Sequence, residues 1–266
     1  MKVLTRFRKL AAIAVIAIST CAGLAATPAR ADLTFLIHMD IQSPMFQNMP
    51  ADARAQMNSL MQMTMFLNGQ KMRVNTAVVS VLVDQQAKTL TMINDKAKSY
   101  SVSPYDPIVA QQMMQGPGGM FSGAGSDYKV VDTGKTTTFL GHKVKHFVVT
   151  AHLSSPNTGD MTIHSDILAA QDLPPADMAA YNSMTAAAAS GKAHVEGIPL
   201  KTVTTVTGGT MGTMTVTQTV TSISTKPIPA NLFAIPTGYT RTTQPMVQPG
   251  MPGAPGATPP GSAPSQ

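Results

Sequence analysis

Residues 61–65 read MQMTM and set three thioethers at alternate positions, Met61, Met63 and Met65. Alternate residues of an extended strand point the same way, so the three sulfurs share a face. Thioether sulfur is a soft ligand for Cu(I). An unbranched, polarizable side chain also re-packs around a flexible apolar ligand such as an acyl chain, and it plugs irregular gaps in an ordinary core. Copper site, acyl pocket and plain core therefore all stay open on residue type. Met39, Met45, Met49 and Met57 lie upstream, with Met72 and Met92 on neighbouring runs.

Imidazoles offer a second chemistry. His142, His146 and His152 share a strand parity and His164 falls on the next expected strand. A zinc ion would need their nitrogens within about 2.0–2.2 Å of one point. Lys143 and Lys145 between the first two point instead to a solvated turn. Enzyme motifs are absent: there is no Gly-x-Ser-x-Gly elbow, no His-Glu-x-x-His and no phosphate loop. Glu196 is the only glutamate, and Asp84, Asp95, Asp127, Asp132 and Asp172 fall mostly at turns, so no carboxylate pair for acid–base work can be read from spacing. The expectation is a non-enzymatic chain without a cofactor and with no assigned metal site.

The elements that position these groups lie between two dispensable ends. Lys2, Arg6, Arg8 and Lys9 precede an apolar run from Leu10 to Ala26, and Ala29-Arg30-Ala31 closes it. That pattern is a secretory signal peptide cut after Ala31, which implies an exported, periplasmic protein. The leader carries five of the nineteen Lys+Arg and none of the thirteen Asp+Glu, leaving fourteen cations against thirteen carboxylates. Near-neutrality removes the case for a nucleic-acid partner. No later run is long or apolar enough for a transmembrane segment. The single cysteine, Cys21, is in the leader, so no disulfide or thiolate site remains; lipid anchoring through Cys21, or release outside the cell, are lesser alternatives. Residues 244–266 are rich in Pro and Gly and uncharged, the composition of a disordered tail.

Between them, 32–243 forms one domain dominated by period-two alternation. Strands are expected at 33–41, around Met63–Leu67 and Met72–Val74 with a hairpin turn at Asn68-Gly69, then at 78–83, 88–94, 99–103, 128–133, 136–140, 143–153, 159–168, 200–207 and 213–223. Short punctuation between them reads as an antiparallel meander. Helices are expected at Ala51–Met61, Asp106–Gln115 and from Pro174 through an alanine-rich run to Gly191, striped by Met178, Tyr181 and Met184. The fold class is mainly β (α+β): a curved antiparallel half-barrel with two or three helices over its concave face.

Several stretches resemble an exported bacterial family of domains of unknown function within the periplasmic and outer-membrane lipoprotein-carrier (LolA/LolB-like) superfamily. They are LNGQKMRVNT (67–76), KTLTMINDKAKSYSV (88–102), TGKTTTFLGHKVKHFVV (133–149), GIPLKT (197–202) and ANLFAIPTGYT (230–240), the last with Phe233 and Ile235 tucked in before a turn. The resemblance implies a half-barrel closed by helices around a cavity for lipid-like groups, and no catalytic residues.

The expected ligand site is a lining of Met63, Met65, Val81, Leu90, Met92, Met214, Val216 and Val220 around an acyl chain or the lipid of an acylated protein. Helices at 51–61 and 175–190 would be lids, and Arg73, Lys143 and Lys145 would face a phosphate head group. A structural envelope protein with a closed core and a Met-based Cu(I) binder are the alternatives. Oligomeric state is not legible.

Overall fold

In LTFLIHMDIQ every second side chain from Leu33 to Met39 is buried, while Leu36, His38 and Asp40 face solvent. Alternation of this kind makes a strand with one greasy and one wet side. It is β1 (Leu33–Gln42), and the rest of the sheet is built outward from it. The computed structural model describes residues 32–44, 50, 61–107, 110, 129–155, 159–174, 179–188, 194–208 and 212–243. The expected leader with Cys21, the Pro/Gly tail, residues 51–60 of the first helix and most of the second lie outside the described residues.

From β1 the chain runs through β2 (Gln62–Asn68), β3 (Lys71–Asn75), β4 (Ser80–Asp84), β5 (Thr89–Asn94) and β6 (Ser99–Pro104). It continues as β7 (Lys129–Phe139), β8 (His142–Ser155) and β9 (Gly159–Ala170), then helix α1 (Ala179–Ala188), β10 (Ile198–Gly208) and β11 (Met214–Ser224). A 3-10 turn (Ala230–Phe233) and a two-residue strand, β12 (Thr240–Arg241), end it. The twelve strands form one open, curved sheet in the order β12-β6-β5-β4-β3-β2-β1-β11-β10-β9-β8-β7. Two meanders, β2–β6 and β7–β11, therefore flank β1, which pairs antiparallel with both β2 and β11. Every neighbouring pair is antiparallel except β12 with β6.

Four details depart from the sequence reading. The β2–β3 loop is Gly69-Gln70, one residue later than expected, because Asn68 already pairs with Lys71 and Gly69 takes the left-handed φ of +56°. The segments 128–133 and 136–140 are one strand, β7, whose Thr133-Gly134-Lys135 turn signal is absorbed as a bulge with Gly134 at φ +71°. β12 was invisible to periodicity because two residues carry none. Of the expected helices only α1 stands among the described residues, apart from a single helical bond from the Ala110 N–H to the Asp106 carbonyl at 2.9 Å.

The β4–β5 and β5–β6 hairpins of the first meander repeat one device. Asp84 Oδ1 accepts the Ala87 N–H at 2.9 Å, Asn94 Oδ1 accepts the Ala97 N–H at 2.8 Å, and Lys88 and Lys98 follow at φ +53° and +46°. An Asx cap followed by a left-handed residue fixes the register of each pair.

One core cluster runs along the inner face from Leu33, Phe35, Ile37 and Met39 of β1 across β2–β5 and out to Val220, Leu200 and Val144. Smaller clusters, one around Ala151, Met161, Ile163 and Val206 and one around Phe147, Val149, Ile167 and Ala169, serve β8–β10. The outer face of β3–β5 is covered as well. There the C-terminal segment lies over Arg73, which donates to Asn75 Oδ1 (2.6 Å), the Leu232 carbonyl (2.7 Å) and Ser80 Oγ (3.2 Å).

Candidate functional site

The eight expected lining residues come together, and they come together packed. Met63, Met65, Val81, Leu90, Met92, Val216 and Val220 belong to the main core cluster at 8% exposure or less, and half-buried Met214 packs against it. Cross-strand pairing explains the convergence: Val81 stands opposite Met92 and Val83 opposite Leu90, while Met63 and Met65 stand opposite Ile37 and Phe35. Phe35, Leu67, Met72 and Val74 belong to the same wall and were not singled out from the sequence. Their signal was the same alternation, without a chemistry to draw attention to it.

Helix α1 lies over this wall. Ala180 and Met184 are buried in the cluster and Tyr181 packs beside them, as the three-residue stripe implied; Met178 lies outside the described residues. Polar ties fix one end. The Ala180 N–H donates to the Gly69 carbonyl at 3.1 Å, Gln85 Nε2 donates to the Ala180 carbonyl at 2.9 Å, and Gln85 also meets Ser183 Oγ. The helix is thus moored to the β2–β3 and β4–β5 loops by hydrogen bonds, while among its described side chains Ala180 and Met184 enter the interior with Tyr181 beside them. Gln85, the mooring residue, falls in the short punctuation between the expected strands 78–83 and 88–94. Nearby, the Tyr105 hydroxyl is buried with no hydrogen-bond partner among the described residues, and burial pushes its phenol up.

The expected charged mouth does not form. Arg73 alternates away from Met72 and Val74 onto the outer face, where burial pulls its guanidinium down and Asp95 opposes that shift. Lys145 pairs with Asp132 (3.4 Å) and Glu196 (3.9 Å), and Lys143 is exposed on the distant β8. Ile235, expected to tuck in, is exposed, whereas Phe233 is half-buried.

The histidines do not converge either. His142 and His152 stand ten residues apart on β8, about 33 Å along an extended strand. His142 Nδ1 is 3.1 Å from Asp172 Oδ1, and His152 Nδ1 is 3.2 Å from Thr162 Oγ1. His146 Nε2 (2.9 Å) and His164 Nε2 (3.3 Å) share the Asp166 carboxylate, and Thr133 Oγ1 meets His146 Nδ1 at 3.1 Å. Thr133 also donates to the His146 carbonyl at 2.9 Å, which ties the β7 bulge to β8. Among the described residues no group of three or more His, Asp or Glu is placed to hold a metal ion. A cavity of about 230 Å³ lies elsewhere, on the side of β1 and β2 where Leu36, His38, Gln62 and Thr64 project, with Thr221 at the β1–β11 bulge.

A family profile described as a domain of unknown function (DUF4412) matches residues 36–239. The chain belongs to the DUF4412 family. This agrees with the exported domain of unknown function that the sequence resembles. No curated protein matches this DUF4412 chain. Among solved structures it is similar to PNGF-II, at 12% identity and a TM-score of 0.37 over 79% of this chain and 30% of that one. It is also similar to a LolA superfamily protein from Nitrosomonas europaea (8% identity, TM-score 0.30, 77% of this chain and 90% of that one). A third is a putative outer membrane lipoprotein-sorting protein domain from Vibrio parahaemolyticus (11%, 0.28, 78% and 91%). Among the described residues of the DUF4412 chain no helix is long and apolar enough to cross a membrane.

Proposed function

We propose that this domain is a non-enzymatic, exported binding module, working in the periplasm, that seats an acyl chain between α1 and the inner face of β1–β5. The chain comes from a free lipid or from an acylated protein. One observation carries the reading: a continuous apolar wall of Met, Leu, Val and Phe side chains is covered by an alanine-rich helix that contributes Ala180 and Met184 to it. Apolar burial supplies roughly 0.8 kcal/mol per CH₂, so a long chain binds without any polar anchor. The described lining residues are packed at rest, so α1 must lift to admit the chain. Methionines at 63, 65 and 92 then re-pack around the incoming chain.

Organic extraction of protein purified from its native envelope, read by mass spectrometry, tests this. About one acyl species per chain is expected. No acyl species, together with no uptake of a fluorescent fatty acid by the purified protein, selects the second reading, a structural envelope protein with a permanently closed core. The near-complete burial of Val81, Leu90 and Val220 favours that alternative.

A further inference from the structure

The β1–β2 ladder pairs Ile37 with Met63 and His38 with Gln62, and the Met39 N–H extends it by donating to the Met61 carbonyl at 2.8 Å. Met39 and Met61 thus stand opposite one another, about 5.5 Å between Cα atoms for a hydrogen-bonded pair. Met63 is the diagonal neighbour of Met39, roughly 7–8 Å away. All three lie on the apolar side: Met39 and Met63 are buried in the main cluster and Met61 is half-buried against it. His38 and Asp40 alternate to the other face, and on its β11 side Met39 is paired with Gln218. By contrast Met65 is four residues from Met61, roughly 13 Å along the strand, and sits opposite Phe35. The linear triplet 61, 63, 65 therefore cannot close on one ion, but the cross-strand triplet can.

We propose that Met39, Met61 and Met63 form a Cu(I) site at the last rung of the β1–β2 ladder, where half-exposed Met61 gives access from solvent. The donor set selects the ion. Three uncharged thioethers are soft ligands that suit monovalent copper, whereas Mg²⁺ and Ca²⁺ demand oxygen ligands and Zn²⁺ prefers imidazole or thiolate. The flexible side chains span the gaps without backbone movement. No ligand loses a proton on binding, so affinity is flat across the range in which histidine or thiolate sites titrate. The site does not depend on the acyl-binding reading.

Delipidated protein titrated anaerobically with Cu(I) against a chromophoric chelator tests the proposal. Wild type is expected to retain one Cu(I) per chain. Met39→Leu, Met61→Leu and Met63→Leu each weaken retention roughly tenfold or more, and Met65→Leu and Met92→Leu leave it within about twofold. Leucine conserves volume well enough to keep the core, and circular dichroism verifies it; if Met39→Leu does not fold, Met61→Leu at the half-exposed rung carries the test. Surrender of all copper to the chelator by wild type, equal retention by Met61→Leu, or an equal loss in Met65→Leu overturns the site.

Discussion

Arg73 donates to three acceptors on three different segments, β3 itself, β4 and the C-terminal turn, from a position only 6% exposed. A lysine cannot span those partners, because its donors radiate from one nitrogen. Arg73→Ala is therefore expected to lower stability by about 2–3 kcal/mol, read as a urea midpoint, with little rescue by Arg73→Lys. Lys98 tells the opposite story. Its left-handed φ of +46° burdens a residue with a Cβ, so Lys98→Gly should stabilise by about 0.5–1 kcal/mol. At Gly197 a Cβ would sit 2.0 Å from the Ala170 carbonyl oxygen, so Gly197→Ala should unfold the start of β10. The Asp84 carboxyl is pushed up by partial burial, but the Ala87 N–H and Lys71 at 3.1 Å outweigh this and hold it below the usual carboxylate range. The stabilisation is present above the unfolded value of about 3.9 and is lost as pH falls through the folded one. The urea midpoint should thus drop below about pH 4 by less in Asp84→Asn than in wild type. None of these roles was legible beforehand. Arg73 reads from the sequence as a cation for a head group because its partner Leu232 is far away in the chain, and nothing short of the tertiary structure places the two together.

At the scale of elements, the moorings of α1 allow a direct test of whether the helix gates the interior. Outside Cys21 the chain has no cysteine, so Gln85→Cys with Ser183→Cys creates a single clasp where those side chains now touch. Fatty-acid uptake should fall when the pair is oxidised and return on reduction; equal uptake in both states removes α1 as the gate. The strands themselves were largely readable. TMTVTQTVTSI and LTFLIHMDI alternate cleanly because one face meets water, and their boundaries shift by only a residue or two in β11 and β1. What misled was local chemistry with two outcomes. Thr133-Gly134-Lys135 suits a turn and a bulge equally, and only the partner strand β8 decides between them. Likewise the lining residues announced themselves as apolar, but the head-group role expected of Arg73 ran against its parity, which sets it on the face opposite Met72 and Val74.

For the whole molecule, the arrangement of two meanders about β1 makes the first strand the seam. Truncation after Thr225 would remove the segment that supplies the Leu232 carbonyl and the Tyr239 hydroxyl that bonds Asp95 at 2.8 Å. That variant should melt well below full-length protein while keeping a strand-rich circular dichroism spectrum. The sequence disclosed a half-barrel but not its seam, since alternation says which face of a strand is greasy and never which strand it lies beside. The seam also has a temporal meaning. Thr34 must find Ser224, a partner that a ribosome delivers nearly two hundred residues later. The newborn chain thus carries this strand with one flank bare until β11 has been made. Loop closure over such a distance slows folding and leaves the edge of β1 exposed in the meantime. Lesions in β11 should consequently yield insoluble chains more readily than lesions of equal size in β5.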